Sequence, residues 1–260
     1  MEEVSVQYST TQRNTASGAF SQHTAFAEVV QDNVVSDFTD NHANNGVIQN
    51  NVASTIKNRG NVVLIENNRV GDMIFVRSGA ENIIIAGNNV THKVDIVTNG
   101  NEVVNNSANN IKLYDYAEDN VITGNVAQDI YLYGYDEYNL INGNDIAGNI
   151  ILGSHRVHDN FTQNVADAMT DTSTSSGSGG YNVAFNNTVT GAIKFSSSGG
   201  TGNTVASDDY VSSNVVGGFI TLGTNGKHVH HNEIASGDLD LSTSFATTDI
   251  TGNTVGIALG

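Results

Sequence analysis

Asn120-Val121-Ile122-Thr123-Gly124-Asn125-Val126 is followed one period later by Asn139-Leu140-Ile141-Asn142-Gly143-Asn144-Asp145-Ile146. Both segments open on an asparagine, pass through a short apolar stretch and reach a Gly-Asn pair, Gly124-Asn125 and Gly143-Asn144. Outward from this pair, an asparagine recurs about every 19–20 residues along most of the chain. The first series reads Asn14, Asn33, Asn51, Asn68, Asn88, Asn125, Asn144, Asn164, Asn187, Asn232 and Asn253. Ser107 is read as the filler of its early gap, and Asp208 or Asn214 of its late one. A second series runs beside it: Asn61, Asn82, Asn101, Asn120, Asn139, Asn160, Asn182, Asn203 and Asn225. Two ladders with one period predict an all-β solenoid of about 13 coils.

Within each period the apolar residues alternate. Ile122 and Ile141 stand three positions before the ladder asparagine, as do Val30, Ile48, Ile65, Ile85 and Val104. Farther on come Ile74 and Val76, Val94 and Ile96, Ile111 and Leu113, Ile130 and Leu132, and Ile150 and Leu152. Period-two alternation of β-branched residues between Asn, Gly, Asp and Ser corners is the pattern of short strands. A constant period stacks each strand parallel on its counterpart, at about 4.8 Å per coil. Asparagine suits the corners. It tolerates left-handed backbone better than other non-glycine residues, and its amide can donate and accept up a column.

The chain resembles the right-handed parallel β-helix superfamily of pectate lyases, polygalacturonases, alginate epimerases and phage tailspikes. The resemblance rests on the coil units Asn120 to Val126 and Asn139 to Ile146, with Ile130-Tyr131-Leu132-Tyr133-Gly134 following the first. It implies a right-handed helix over residues 1–260 as one domain, and it is unspecific for activity. Irregular loops are expected near 172–180, 196–202 and 208–218, the first two rich in Gly and Ser.

Composition narrows the partners. The chain of 260 residues has no Pro, Cys or Trp and carries a net charge of −17, from 27 acids against 10 bases. The absence of Pro suits strands paired on both sides. No disulfide or cysteine metal site is possible. Phosphate binding needs clustered Lys and Arg, so nucleic acid and anionic membrane are disfavoured. No stretch is apolar and long enough to span a bilayer. The acidic start Met1-Glu2-Glu3 shows no apolar leader, and the composition points to an exported mature form or fragment, extracellular or at the cell surface. The ladder runs close to both ends without an evident cap, so pairing of open ends into an oligomer or filament is a further expectation.

The candidate site is a tyrosine-rich outer strip. If Ile111, Leu113, Ile130 and Leu132 point inward, Tyr114, Tyr116, Tyr131, Tyr133 and Tyr135 point outward. Phe75 and Val97 are expected to precede them on one column and Ile151 to follow. Three roles fit such a strip: contact with another copy or subunit, stacking of sugar rings, or else cover by an N-terminal segment or simple cross-strand packing with no partner.

Catalytic signatures are weak. Tyr133-Gly134-Tyr135-Asp136 is similar to the first half of the alginate epimerase segment Tyr-Gly-Phe-Asp-Pro-His-Glu, but Glu137 and Tyr138 stand where Pro and His would be. Lyases of this fold use Arg or Lys beside calcium-binding carboxylates, and no arginine here lies in an acidic cluster. Asp208-Asp209 alternate faces on a strand, which makes a poor acid/base pair. Lys227-His228-Val229-His230-His231 places His228 and His230 on one face with Val229 inward, a spacing that can bind Zn²⁺ or Cu²⁺. No carboxylate at ligand spacing completes that set in the linear sequence, so an exposed polar strand is expected, with no metal or other cofactor. The leading functional expectation is a non-enzymatic structural or adhesive solenoid that self-associates. The alternatives are a polysaccharide-binding or polysaccharide-modifying protein and a viral receptor-binding fibre.

Overall fold

The computed structural model describes residues 9–21, 28–41, 44–114, 116–133, 137–153, 158–171, 182–195, 209–222, 227–240 and 248–256. It is an all-β parallel solenoid of about 10 turns, where the period had predicted 13. Turns are not uniform in length: ladder bonds span 17 residues at Asn51–Asn68 and 27 at Asn187–Asn214. The chain divides into two compact units, Met1–Val126 and Ala127–Gly260. Among the described residues no helix is long and apolar enough to cross a membrane. The expected loops at 172–180 and 196–202 lie outside the described residues. The one expected near 208–218 is regular from residue 209 onward, with strands Asp209–Ser212 and Val215–Val216.

In the first unit one sheet stacks the short strands Glu28–Gln31, Val47–Gln49, Leu64–Glu66, Ile84–Ala86, Glu102–Val104 and Val121–Thr123, all parallel. Their central residues form one interior column: Val30, Ile48, Ile65, Ile85, Val103 and Ile122. Each such isoleucine is almost wholly removed from water, which stabilises the fold by about 1.5–3 kcal/mol per side chain. A second sheet stacks Val52–Asn58, Arg69–Val76, Asn89–Ile96 and Ser107–Leu113. It buries Ile56, Ile74, Val94 and Ile111 in register.

The second unit repeats this plan with a split. Strands Leu140–Asn142, Asn160–Thr162, Val183–Phe185, Asp209–Ser212, Lys227–His230 and Thr248–Thr251 pair in parallel. Its long strands are broken into pairs such as Asp145–Ile146 and Asn149–Leu152, or Thr188–Val189 and Ile193–Phe195. Glycines sit at the breaks, among them Gly148, Gly191 and Gly218. Phe161 and Phe195 meet inside this unit with ring centroids 6.2 Å apart.

The asparagine ladder is an interior hydrogen-bonded column. Asn51 donates its main-chain N–H and its Nδ2 to Oδ1 of Asn68, at 2.9 and 3.0 Å. The same Nδ2 donates to the Val30 carbonyl of the preceding coil at 3.0 Å. Asn33, Asn68 and Asn88 repeat the pattern in the first unit, and Asn164, Asn187, Asn214 and Asn232 in the second. The residue before each rung is in the left-handed region, from Asp32 and Asn50 to Ser213 and His231.

One gap-filler is corrected and the other is decided between its two candidates. The early rung is Asn106, bonded to Asn88 and Asn125, and Ser107 is exposed beside it. Val103 therefore points inward and Val104 does not, because a slip of one residue turns a strand over. The late rung is Asn214, with Val211 as its interior partner.

The second series is only partly a ladder. Asn101 donates to Asn120 at 2.9 and 3.0 Å, and Asn139 donates to the carboxylate of Asp159 at 2.9 and 3.2 Å. Asn160 is exposed on the adjacent strand. Asn82 takes the left-handed position, and apolar Ile83 occupies the rung below Asn101. Asn203 and Asn225 lie outside the described residues.

Candidate functional site

The expected tyrosine strip resolves into separate pieces. In the first unit Phe75 is level with Lys57, Asp95 and Lys112, so its outer column is charged. Arg77 stands over the Phe75 ring at 5.5 Å, a cation–π contact. Val97 and Tyr114 each lie one step beyond the paired Ile96 and Leu113, and both are half-buried. The predicted single column of Phe75 with Val97 is thus two columns. The strand ends at Leu113, and the chain turns just after it: the Ala117 N–H donates back to the Tyr114 carbonyl at 3.0 Å. Tyr116, at φ 66°, turns off the strand with 62% of its surface exposed.

In the second unit Tyr131, Tyr133 and Ile151 do come together. Tyr131 is level with Ile151 on the neighbouring strand. Its ring stacks on that of Tyr133, with centroids 5.4 Å apart and planes within 11°. The Tyr131 hydroxyl donates to Oδ2 of Asp129 at 3.3 Å, and Oδ1 of Asp129 accepts the Asn149 N–H at 2.8 Å. Burial pushes the Tyr131 phenol above its ordinary value, and the Asp129 charge adds to the shift. Tyr131 therefore stays neutral and keeps donating well into the alkaline range. Tyr135 and the rest of the epimerase-like segment, Gly134 to Asp136, lie outside the described residues.

A second constellation lies on the outer face of the other sheet of this unit. Val229 is fully buried, as alternation requires, and His228 and His230 face outward. Tyr210, His228 and Asp249 are in register on successive coils, and so are Ser212, His230 and Thr251. The Tyr210 ring lies 6.2 Å from that of His228 and 5.6 Å from that of His230. The two imidazoles are 6.1 Å apart. Nδ1 of His230 is 2.7 Å from Oγ1 of Thr251, and its Nε2 is 3.8 Å from Oδ2 of Asp249. One ligand atom from each of His228, His230 and Asp249 lies within 4.8 Å of the others.

Asp249 thus supplies the carboxylate that linear spacing did not offer. It belongs to the next coil, so no local motif contains it. The ladder itself held the signal: His228 stands four residues before Asn232, and Asp249 four before Asn253. Another ring pair escaped sequence reading for the same reason. Tyr138 and His158 occupy equivalent left-handed corner positions and stack with centroids 4.7 Å apart.

No protein-family model, no curated protein and no solved structure matches this chain.

Proposed function

We propose that this protein is a non-enzymatic β-solenoid that associates with copies of itself through exposed aromatic surface, as an extracellular structural or adhesive module. The observation that carries the reading is the stacked pair of Tyr131 and Tyr133, with Ile151 beside it. Parallel rings held against a strand face offer apolar area at small entropic cost, because the stack already restricts their rotamers. Tyrosine of this kind is enriched at interface cores. The Asp129 contact leaves the Tyr131 ring fixed before any partner arrives.

Sedimentation velocity over a concentration series tests this. The wild type is expected to gain mass with concentration. A Tyr131→Ser/Tyr133→Ser variant should stay monomeric while keeping its far-UV circular dichroism and melting behaviour. A wild type that remains monomeric to high concentration sinks the reading.

A second reading is polysaccharide binding or modification, in line with the resemblance to pectate-lyase-like β-helices. The flat, parallel ring pair favours it, since sugar rings stack on such faces. A monomeric wild type that scores on a glycan array, with loss of signal in the same double variant, would support this second reading over the first.

A further inference from the structure

We propose that His228, His230 and Asp249 form a binding site for a divalent transition-metal ion of the zinc class. Two imidazoles and one carboxylate make a borderline nitrogen–oxygen donor set, which suits Zn²⁺, Cu²⁺ and Ni²⁺ better than Mg²⁺ or Ca²⁺. Three protein ligands leave a fourth position open toward solvent, for water or another donor.

The arrangement is built rather than incidental in three respects. First, parallel register fixes it. His228 and Asp249 are cross-coil neighbours, and His230 lies two residues along the same strand. The Asn232–Asn253 rung, bonded at 2.9 Å through both main chain and side chain, holds that register two residues beyond His230. Second, His230 is already oriented. Its side chain is only 14% exposed, walled by Tyr210 and His228. In the tautomer that carries its proton on Nδ1, that nitrogen donates to Thr251 Oγ1 and leaves Nε2, which faces the Asp249 carboxylate, able to ligate. A hydrogen bond from the far nitrogen of a ligand histidine is the usual support for metal ligation. Third, at 3.8 Å the His230 Nε2 and the Asp249 oxygen are too far apart for a direct hydrogen bond.

A tetrahedral ion with ligands at about 2.0–2.1 Å needs ligand atoms about 3.3–3.4 Å apart. The observed envelope of up to 4.8 Å is wider than that, so all three side chains must draw in on the ion; Asp249, 58% exposed, has room to swing.

Isothermal titration of the full-length protein with zinc chloride tests the proposal. Cobalt(II) provides a spectroscopic signature, through the visible bands of a four-coordinate ion. One site per chain is expected. Asp249→Asn and His228→Ala should each weaken it by at least tenfold. Thr251→Val, which removes only the support to Nδ1, should weaken it roughly 10–100-fold. His92→Gln is the control: His92 pairs with Asp72 at 3.0 Å in the other unit, and this variant should bind like wild type. Circular dichroism establishes that each variant is folded. Absence of both heat and cobalt bands in the wild type overturns the proposal. So does zinc affinity that persists in a His228→Ala/His230→Ala variant, which would place the ion elsewhere.

Discussion

A ladder asparagine does more than cap a turn. Oδ1 of Asn88 accepts the N–H and Nδ2 of Asn68, both at 2.9 Å. Its Nδ2 donates to Oδ1 of Asn106 at 2.9 Å and to the Ile65 carbonyl at 2.8 Å. Asn88 itself is buried, so water cannot replace these partners. Asn88→Ala strands the Asn68 N–H and the Ile65 carbonyl, each at about 1–3 kcal/mol. A loss of about 2–5 kcal/mol is therefore expected, a large share of a typical stability of about 5–15 kcal/mol. Urea denaturation reads it directly, and a midpoint equal to that of wild type would show that the column is dispensable. Aspartate keeps the acceptor but loses the donor, which explains where it is tolerated. Asp159 stands in the second column, where its carboxylate accepts from Asn139 and its main-chain N–H, not its side chain, donates onward to Asn182. These roles were legible in the residue type and period. The identity of individual rungs was less so, because Asn105-Asn106-Ser107 offers several polar residues and only the inward-facing Val103 settles which one points in. Val62 shows the limit from the other side: a β-branched residue at φ 54° contradicts local preference, and the coil geometry imposes it.

At the scale of elements, the two units differ in how a coil turns its second corner. The first unit carries long strands with register shifts, as between Val90 and Lys93. The second breaks the strand at glycine. Its Gly218 N–H donates to the Gly191 carbonyl at 2.7 Å, and the Gly191 N–H to the Asp167 carbonyl at 2.6 Å. A Cβ on Gly218 would lie 2.6 Å from the Gly191 oxygen and 2.9 Å from its carbon. Neither is a side chain that can move aside. Gly218→Ala is expected to cost about 1–3 kcal/mol by forced overpacking. Gly18→Ala, with nothing within 4 Å of the added carbon, should change stability by less than about 0.5 kcal/mol. A thermal melt of the pair separates close approach from any general effect of replacing glycine, and equal shifts would count against the stacked-corner account. The signal for the split was present in the sequence: Gly148, Gly191 and Gly218 each follow a ladder asparagine by four residues. It is hidden because Asp208 competes with Asn214 for one of those rungs in the linear sequence. The tyrosine strip failed as one column for a related reason. Alternation from Leu113 predicts an outward Tyr114, but it gives no sign that the strand has ended at Leu113.

For the molecule as a whole, the proposed self-association has to overcome charge. Each copy carries a net −17, and apolar contact through Tyr131, Tyr133 and Ile151 must form against the mutual repulsion of two such chains. The repulsion acts at long range and the ring contact at short range. Salt therefore acts on them unequally. The screening length falls from about 30 Å at 0.01 M to about 8 Å at 0.15 M and about 3 Å at 1 M. Apolar burial is not weakened over that range. Association is expected to strengthen as sodium chloride rises from low to physiological concentration and then to level off. An interface built from ion pairs would weaken instead. Sedimentation equilibrium at both salt levels distinguishes the two, and the Tyr131→Ser/Tyr133→Ser variant should lose most of the salt-promoted mass increase. Mass that falls with added salt, or a rise that the double variant shows in full, would mean that the copies meet somewhere other than the stacked rings.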